Sequence, residues 1–436
     1  MSVLGGEGRK RRIPRPGLRL EEVEFFLAWA LFQGRFRATH RHDIPRRVRV
    51  ALSAGRLAWG KRHTGLEFAG RLGLADHASG QFTRLVELAG MPRPSPTTRD
   101  LERTARFVAA VHAALTVLMS YPQVVRAARR ETIDGPRLMR RFAKVVAAYA
   151  ALSVYAARRP DEWSALVSAA DLSFDRMPYV FAAAHAQIPT YLVFLDQPYT
   201  APHTQMTAIP KATLAGCIVH DLVDADDAGV DVRTPCAVLE VPRRRRQPDP
   251  SQLHVGIVVD RGVVPSSAAT VAVSAAEARN VEQVLVRPHP GDARDRWEEA
   301  LSGTAANVVL APERPIEEFV EHVDLCLVTF SGALNRLARL DVPCWFVGDA
   351  IHRPPREAGD GRPDDKTLRA NWTSERFVVP NAERPFGNFL EGLTDEELAS
   401  GPPPRRPPDG RPTPRARPVQ PLATMLSAIE RAAPWH

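Results

Sequence analysis

Between Leu253 and Gly348 nine segments alternate in hydrophobic period, and this limits the fold more than any other feature. Leu253–Val259, Val284–Val286, Asn307–Leu310, Leu325–Thr329 and Cys344–Val347 are short apolar runs, as buried strands are. Ser266–Arg279, Asp292–Leu301, Ile316–His322 and Gly332–Leu340 lie between them and carry apolar residues at helical spacing. Strands that alternate with helices in this way predict a parallel sheet covered on both faces, a doubly wound nucleotide-binding domain over 251–350.

A weaker version of the same pattern precedes it. Ala165–Ser168, Thr190–Leu195, Gly216–Val219 and Ala237–Val241 read as strands, with a helix ending near Gln187, so 161–242 is expected to be a second, partial Rossmann-like domain. Arg243 to Arg246 and the prolines after them, over 243–250, form a linker by composition. Residues 1–18 are basic and rich in Gly and Pro, the composition of a disordered arm. Residues 19–160 have a helical pattern, with Asp100 as the expected cap of a helix running to Met119 and Val145–Ala157 apolar on every side. The tail, 351–436, is proline-rich through Gly401–Pro418. Its end, Val419–Ala433, has Leu422, Met425, Leu426 and Ile429 at the spacing of a closing helix that crosses back to the first sheet. The expected class is α/β, with two doubly wound Rossmann-type domains and an N-terminal helical elaboration.

Hydrophobic residues at 44% and charged residues at 25% exclude a collagenous, disulfide-scaffold or wholly disordered chain. The longest unbroken apolar stretches, Phe107–Tyr121 and Val145–Ala157, fall short of the length a membrane span requires, and the first contains His112. The Arg9–Arg12 cluster is followed by neither an apolar run nor a cleavage site, so the expected location is cytoplasmic, with peripheral contact at the inner membrane face as its extension. Cys217, Cys236, Cys326 and Cys344 lack zinc-type spacing and read as buried thiols. Charge is uneven: residues 1–150 hold 28 Lys and Arg against 12 Asp and Glu, while the remainder is net acidic. A basic first third suits an anionic membrane or polymer. Nucleic acid is not the expected partner, because aromatics are not interleaved with the arginines.

In an open parallel sheet, ligands bind beyond the carboxyl ends of the strands. His289 follows one strand of the 251–350 block and Ser331 another, so topology brings them to one edge. Pro288 and Pro290 hold the backbone on either side of His289, which presents its imidazole to a phosphate at little entropic cost. Arg287 precedes it, alternating in direction. Ser331 opens the next helix, where its hydroxyl either caps that helix or joins Thr329 and the Gly332 backbone in holding an anion. A turn histidine held only by backbone is the plainer reading of His289.

The runs LVRPHP at Leu285–Pro290 and VTFSGALNRLARLDVPCWFV at Val328–Val347 resemble the donor domain of bacterial GT-B glycosyltransferases with a His-Pro motif. The likeness is to capsule-type and sialyltransferase-like members, related to the wall polyol-phosphate transferases. It implies that His289 and Ser331 contact the phosphate of a cytidine nucleotide donor. Three positions depart from the family. Phe330-Ser331 stands where a serine pair is usual, Asp226-Asp227-Ala228-Gly229 is the nearest match to the acidic motif, and Asp196-Gln197-Pro198 replaces a Gln-His-Gly.

A general base must sit on the first sheet, at a strand's carboxyl end. Asp196 fits best, followed by Asp175 and His203. The expected catalytic set is therefore Asp196, His289 and Asp175, and the donor set is Arg287, His289, Thr329, Ser331 and Gly332. The co-substrate is a nucleotide-activated sugar, with no metal and no further cofactor. The expected reaction moves that sugar to a capsule or envelope glycan, or to a lipid-linked acceptor. A CDP-polyol phosphotransferase and a non-catalytic GT-B-like scaffold are the alternatives. No Gly-x-Ser-x-Gly elbow or glycine-rich phosphate loop supports a hydrolase or a P-loop enzyme.

Overall fold

The computed structural model describes residues 12–32, 45–75, 78–130, 134–169, 174–194, 214–219, 225, 230–239, 248–259, 263–314, 316–329, 337, 340, 342–347, 386–394, 396, 398, 416 and 418–435. Two sheets organise them. The first has eight strands: β1 (His63–Ala69), β2 (Leu72–Leu74), β3 (Thr97–Asp100), β4 (Ala165–Ala169), β5 (Thr190–Phe194), β6 (Leu214–Val219), β7 (Cys236–Val238) and β13 (Val419–Gln420). Their order is β13-β7-β6-β5-β4-β2-β1-β3, parallel from β13 to β2, with β1 and β3 antiparallel at one end. The second is wholly parallel, in the order β10-β9-β8-β11-β12. It comprises β8 (Leu253–Val258), β9 (Val281–Arg287), β10 (Val308–Leu310), β11 (Leu325–Val328) and β12 (Cys344–Phe346).

The α/β expectation is met. Successive strand residues point to opposite faces, and both faces of each sheet are covered. In the first sheet Leu166, Leu192 and Cys217 face one core, while Val167, Val193 and Ile218 face another. The first core is filled by α1 (Leu20–Phe32), α2 (Arg47–Gly60), α4 (Arg103–Arg130), α5 (Gly135–Arg158) and α6 (Met177–His185). The second is filled by α3 (Ala78–Leu88) and α11 (Leu422–Ala432). In the second sheet α7 (Pro265–Ala276) and α8 (Arg294–Leu301) cover one face, with α10 (Phe386–Glu391) beyond them, and α9 (Ile316–Phe319) lies on the other.

The helical first third is not wholly helical. β1, β2 and β3 fall within 19–160 and extend the first sheet, with β2 pairing in parallel with β4 through Leu72 and Ala165. Asp100 does not cap α4. It ends β3, where its carboxylate bonds His63 Nδ1 at 2.6 Å, and α4 starts three residues later. α5 is buried almost throughout, as its all-round apolar sequence requires. Asp134 caps it by accepting the Arg137 N–H at 3.0 Å, with a proline in the first turn. Among the described residues α4 alone is long and apolar enough to cross a membrane, with mean hydropathy 1.5 over Arg103–Arg126, yet it packs against α2 and α5.

The closing segment crosses back to the first sheet. β13 adds to β7, and α11 buries Met425, Leu426 and Ile429 against it. All four cysteines are buried, and they oppose one another in register as Cys217–Cys236 and Cys326–Cys344. Burial raises the Cys326 thiol well above its ordinary range, and the adjacent Cys344 adds to this, so Cys326 remains a neutral packing group.

Candidate functional site

In the second sheet the chain moves outward from β8 to β9 and β10, then returns across β8 to β11 and β12. The reversal falls between β8 and β11, and the crevice of a doubly wound sheet opens at such a point, beyond the strands' carboxyl ends. Val258 is in register with Arg287 on one side and Val328 on the other. The Val259 N–H donates to Arg287 O at 3.2 Å, and the Thr329 N–H donates to Val258 O at 3.1 Å. The His289 strand and the Thr329 strand thus end two strand spacings apart, about 10 Å.

His289 lies two residues beyond β9 and is half-buried. The Gly291 N–H donates to its Nδ1 at 3.0 Å, and its carbonyl accepts the Asp292 N–H at 2.9 Å. The ring is therefore held by a tight turn. An Nδ1 that accepts a hydrogen bond leaves the proton of the neutral imidazole on Nε2. With Nδ1 engaged in this way, Nε2 is the ring atom left to meet a phosphate oxygen.

Arg287 is employed elsewhere. Its Nη2 donates to Arg314 O at 2.9 Å, and its guanidinium lies 5.7 Å from the centre of the Phe319 ring. Arg294 donates to Ala311 O at 3.1 Å, so the two arginines brace the loop leading into α9. Phe319 itself lies close over β8 because residue 256 is glycine: any Cβ there would come within 2.9 Å of the Phe319 ring and the Cys326 sulfur. The expected phosphate contact of Arg287 is replaced by a wall-building one, because strand alternation turns its side chain toward α9.

Thr329 is fully buried, so its hydroxyl is not on the surface a donor would reach. Asp175 does stand at the carboxyl edge of the first sheet, between β4 and α6. It is an exposed partner of Arg141 on α5, with Oδ1 at 3.3 Å from Nη1, and the same guanidinium lies over the Phe174 ring. A carboxylate engaged in this way is turned toward the helical layer. Asp196, His203, Asp226, Asp227, Ser331 and Gly332 lie outside the described residues, as does most of the helix expected over Gly332–Leu340.

Two polar constellations escaped the sequence reading. Arg84 on α3 and Glu317 on α9 form an ion pair at 2.6 Å between the two sheet units. In the helical layer the fully buried Glu22 accepts from the Arg19 N–H at 2.8 Å and from His185 Nε2 at 3.0 Å, and Tyr149 OH meets His185 Nδ1 at 3.1 Å. The sequence signal for the second was a glutamate between Leu18, Val23 and Phe26, on a face otherwise apolar. Among the described residues no cluster of His, Cys, Asp and Glu could hold a metal ion.

No protein-family model and no curated protein matches the sequence. Twelve chains of solved structures align with it, among them the following two. The S. aureus MnaA–UDP co-structure covers 43% of this chain at 10% identity and a TM-score of 0.29. The chain covers 59% of that structure, under two thirds of its length. The calicheamicin glycosyltransferase CalG4 covers 64% of this chain, and 74% of CalG4 is covered in turn, at 14% identity and a TM-score of 0.37.

Proposed function

We propose that this chain is a GT-B glycosyltransferase that takes a sugar from a nucleotide donor, with cytidine as the favoured base, and passes it to an envelope or capsule glycan. One observation carries the reading: an imidazole whose Nδ1 is held by the Gly291 N–H, leaving Nε2 as its donor, stands at the carboxyl edge of a doubly wound sheet. The choice of cytidine follows from the resemblance of the Arg287-Pro288-His289-Pro290 run to the His-Pro motif.

In the transfer, an acceptor hydroxyl oxygen bonds the anomeric carbon while the bond from that carbon to the phosphate oxygen breaks. The electron pair leaves with the nucleotide phosphate, and the hydroxyl proton passes to a base. His289 Nε2–H would neutralise charge developing on that phosphate, with Ser331 as its proposed companion. Asp196 is the proposed base. Asp175 would first have to leave Arg141, so it ranks behind.

The test is thermal stabilisation of the full chain by CMP, CDP, UDP, GDP and ADP, for the native protein and for His289→Ala. A ligand at a hundred times its Kd stabilises by about 2.7 kcal/mol, a readily measured shift. The expected result is a selective shift with cytidine nucleotides that His289→Ala abolishes while leaving the unliganded melting midpoint in place. A shift with UDP or GDP alone would keep the donor site and discard cytidine. No shift with any nucleotide would favour the scaffold.

A further inference from the structure

The helical layer carries an apolar face that the described residues leave largely exposed, with Gly17 approaching it at Met119. α2 and α4 run antiparallel across it. Trp59 meets Phe107 edge-on at 6.4 Å, a Cβ at Gly55 would lie 3.2 Å from Ala110 O, and Arg47 at the other end donates to Leu118 O. Their inner sides enter the core through Ala54, Ala58, Ala109, Ala113 and Val117. On the outer side of α4, Phe107, Val111, Leu115 and Met119 recur at every fourth residue and are 62%, 46%, 42% and 59% exposed. At 1.5 Å per residue this stripe is about 18 Å long. Val48, Leu52 and Trp59 form a parallel stripe on α2, and the Trp59–Phe107 contact joins the two into one surface.

Charge identifies the occupant. The segments 46–62 and 103–130 together hold eleven Lys and Arg and no Asp or Glu. Arg49 and Arg56 line an open groove of about 550 Å³ on α2 with Val48, Leu52 and Leu57. Exposed Arg103 and Arg126 bracket the α4 stripe, and Arg106 lies 5.2 Å over the Trp59 ring. Apolar residues along the middle, cations at the margins and a tryptophan between them are the features of a helix that lies in a membrane interface. The burial of α4 agrees: only 39% of its apolar window is inside the molecule, low for a helix of that hydropathy serving as a soluble core. A second copy fits poorly, since a two-fold contact would set these cations against themselves with no carboxylate between. We propose that the α2–α4 face seats the protein on an anionic bilayer, with the stripes at the acyl boundary and the guanidinium groups among lipid phosphates.

This goes beyond the glycosyltransferase reading and does not depend on it, since docking requires no donor. The experiment is co-sedimentation of the full chain with phosphatidylcholine vesicles, with and without phosphatidylglycerol. Three variants accompany it: Leu115→Glu with Met119→Glu, Arg49→Glu with Arg56→Glu, and Leu88→Glu, an exposed leucine on α3, as the control. The expected result is association with the anionic vesicles, weakened roughly tenfold or more by either pair and unchanged by the control. All altered positions are exposed, so melting midpoints should hold and report any variant that fails to fold. Absence of association overturns the proposal, and so does equal association by the Leu115/Met119 pair. A native dimer that the same pair dissociates would give the face to a second copy instead. Nucleotide stabilisation of these variants reads the donor site separately, so the two proposals fail independently.

Discussion

A histidine's chemistry is decided by what its second nitrogen touches, and two histidines here show opposite outcomes. At His289 a backbone N–H occupies Nδ1 and leaves an outward donor. At His112 the ring is buried, with Nε2 donating to Pro14 O at 3.0 Å, and it ties the N-terminal segment to α4. Burial pushes the His112 imidazole below its ordinary value. The Pro14 carbonyl pulls it back, and nearby His185 lowers it further. In the unfolded chain this group takes a proton near pH ~6.5, whereas in the folded chain it does so only at lower pH. Below neutrality the unfolded state therefore binds more protons, and stability falls as pH falls through that window. Calorimetry from neutral pH down to about 5.5 should show the melting midpoint decline. In His112→Gln, whose amide can still donate to Pro14 O, the decline should be shallower. Equal slopes would show that His112 is not the responsible group.

At the scale of elements, the first sheet is completed by the chain's last residues. Trp435 packs edge-on against Phe82 at 5.4 Å, the Arg71 N–H donates to Pro434 O at 3.0 Å, and any Cβ at Gly70 would collide with that carbonyl. Trp435→Ala should cost about 3–5 kcal/mol, the usual price of emptying a buried tryptophan site. Chemical denaturation should show the loss in the first sheet's transition, and a loss under about 1 kcal/mol would mean the segment docks only loosely. Its helix was readable because Leu422, Met425, Leu426 and Ile429 keep helical spacing. β1–β3 were not. β2 has three residues, β3 is the polar run Thr-Thr-Arg-Asp, and their pairing is set by partners such as Ala165, distant in sequence. The same logic divides the site. The held turn at His289 was legible because its prolines are adjacent to it. The engagement of Asp175 was not, since Arg141 lies 34 residues earlier and only the packing of α5 brings the two together.

At the scale of the whole molecule, the Arg84–Glu317 pair joins the two sheet units. α3 follows β2 and α9 follows β10, so each partner stands on a helix that has just left the carboxyl edge of its own sheet. The pair therefore ties the units on the side where the proposed donor and acceptor would meet. The two side chains are 35% and 25% exposed, so water screens the interaction, and its removal should cost at most about 1 kcal/mol of stability. Its effect should appear in shape. Glu317→Gln should increase the radius of gyration measured by small-angle X-ray scattering in the absence of ligand, with the melting midpoint almost unchanged. The double exchange Arg84→Glu with Glu317→Arg should restore the native value. His289 belongs to one unit alone, so on the proposed function any nucleotide stabilisation should survive Glu317→Gln. An unchanged radius would mean that other contacts set the spacing of the units. Lost nucleotide stabilisation would mean that the donor site itself spans both units.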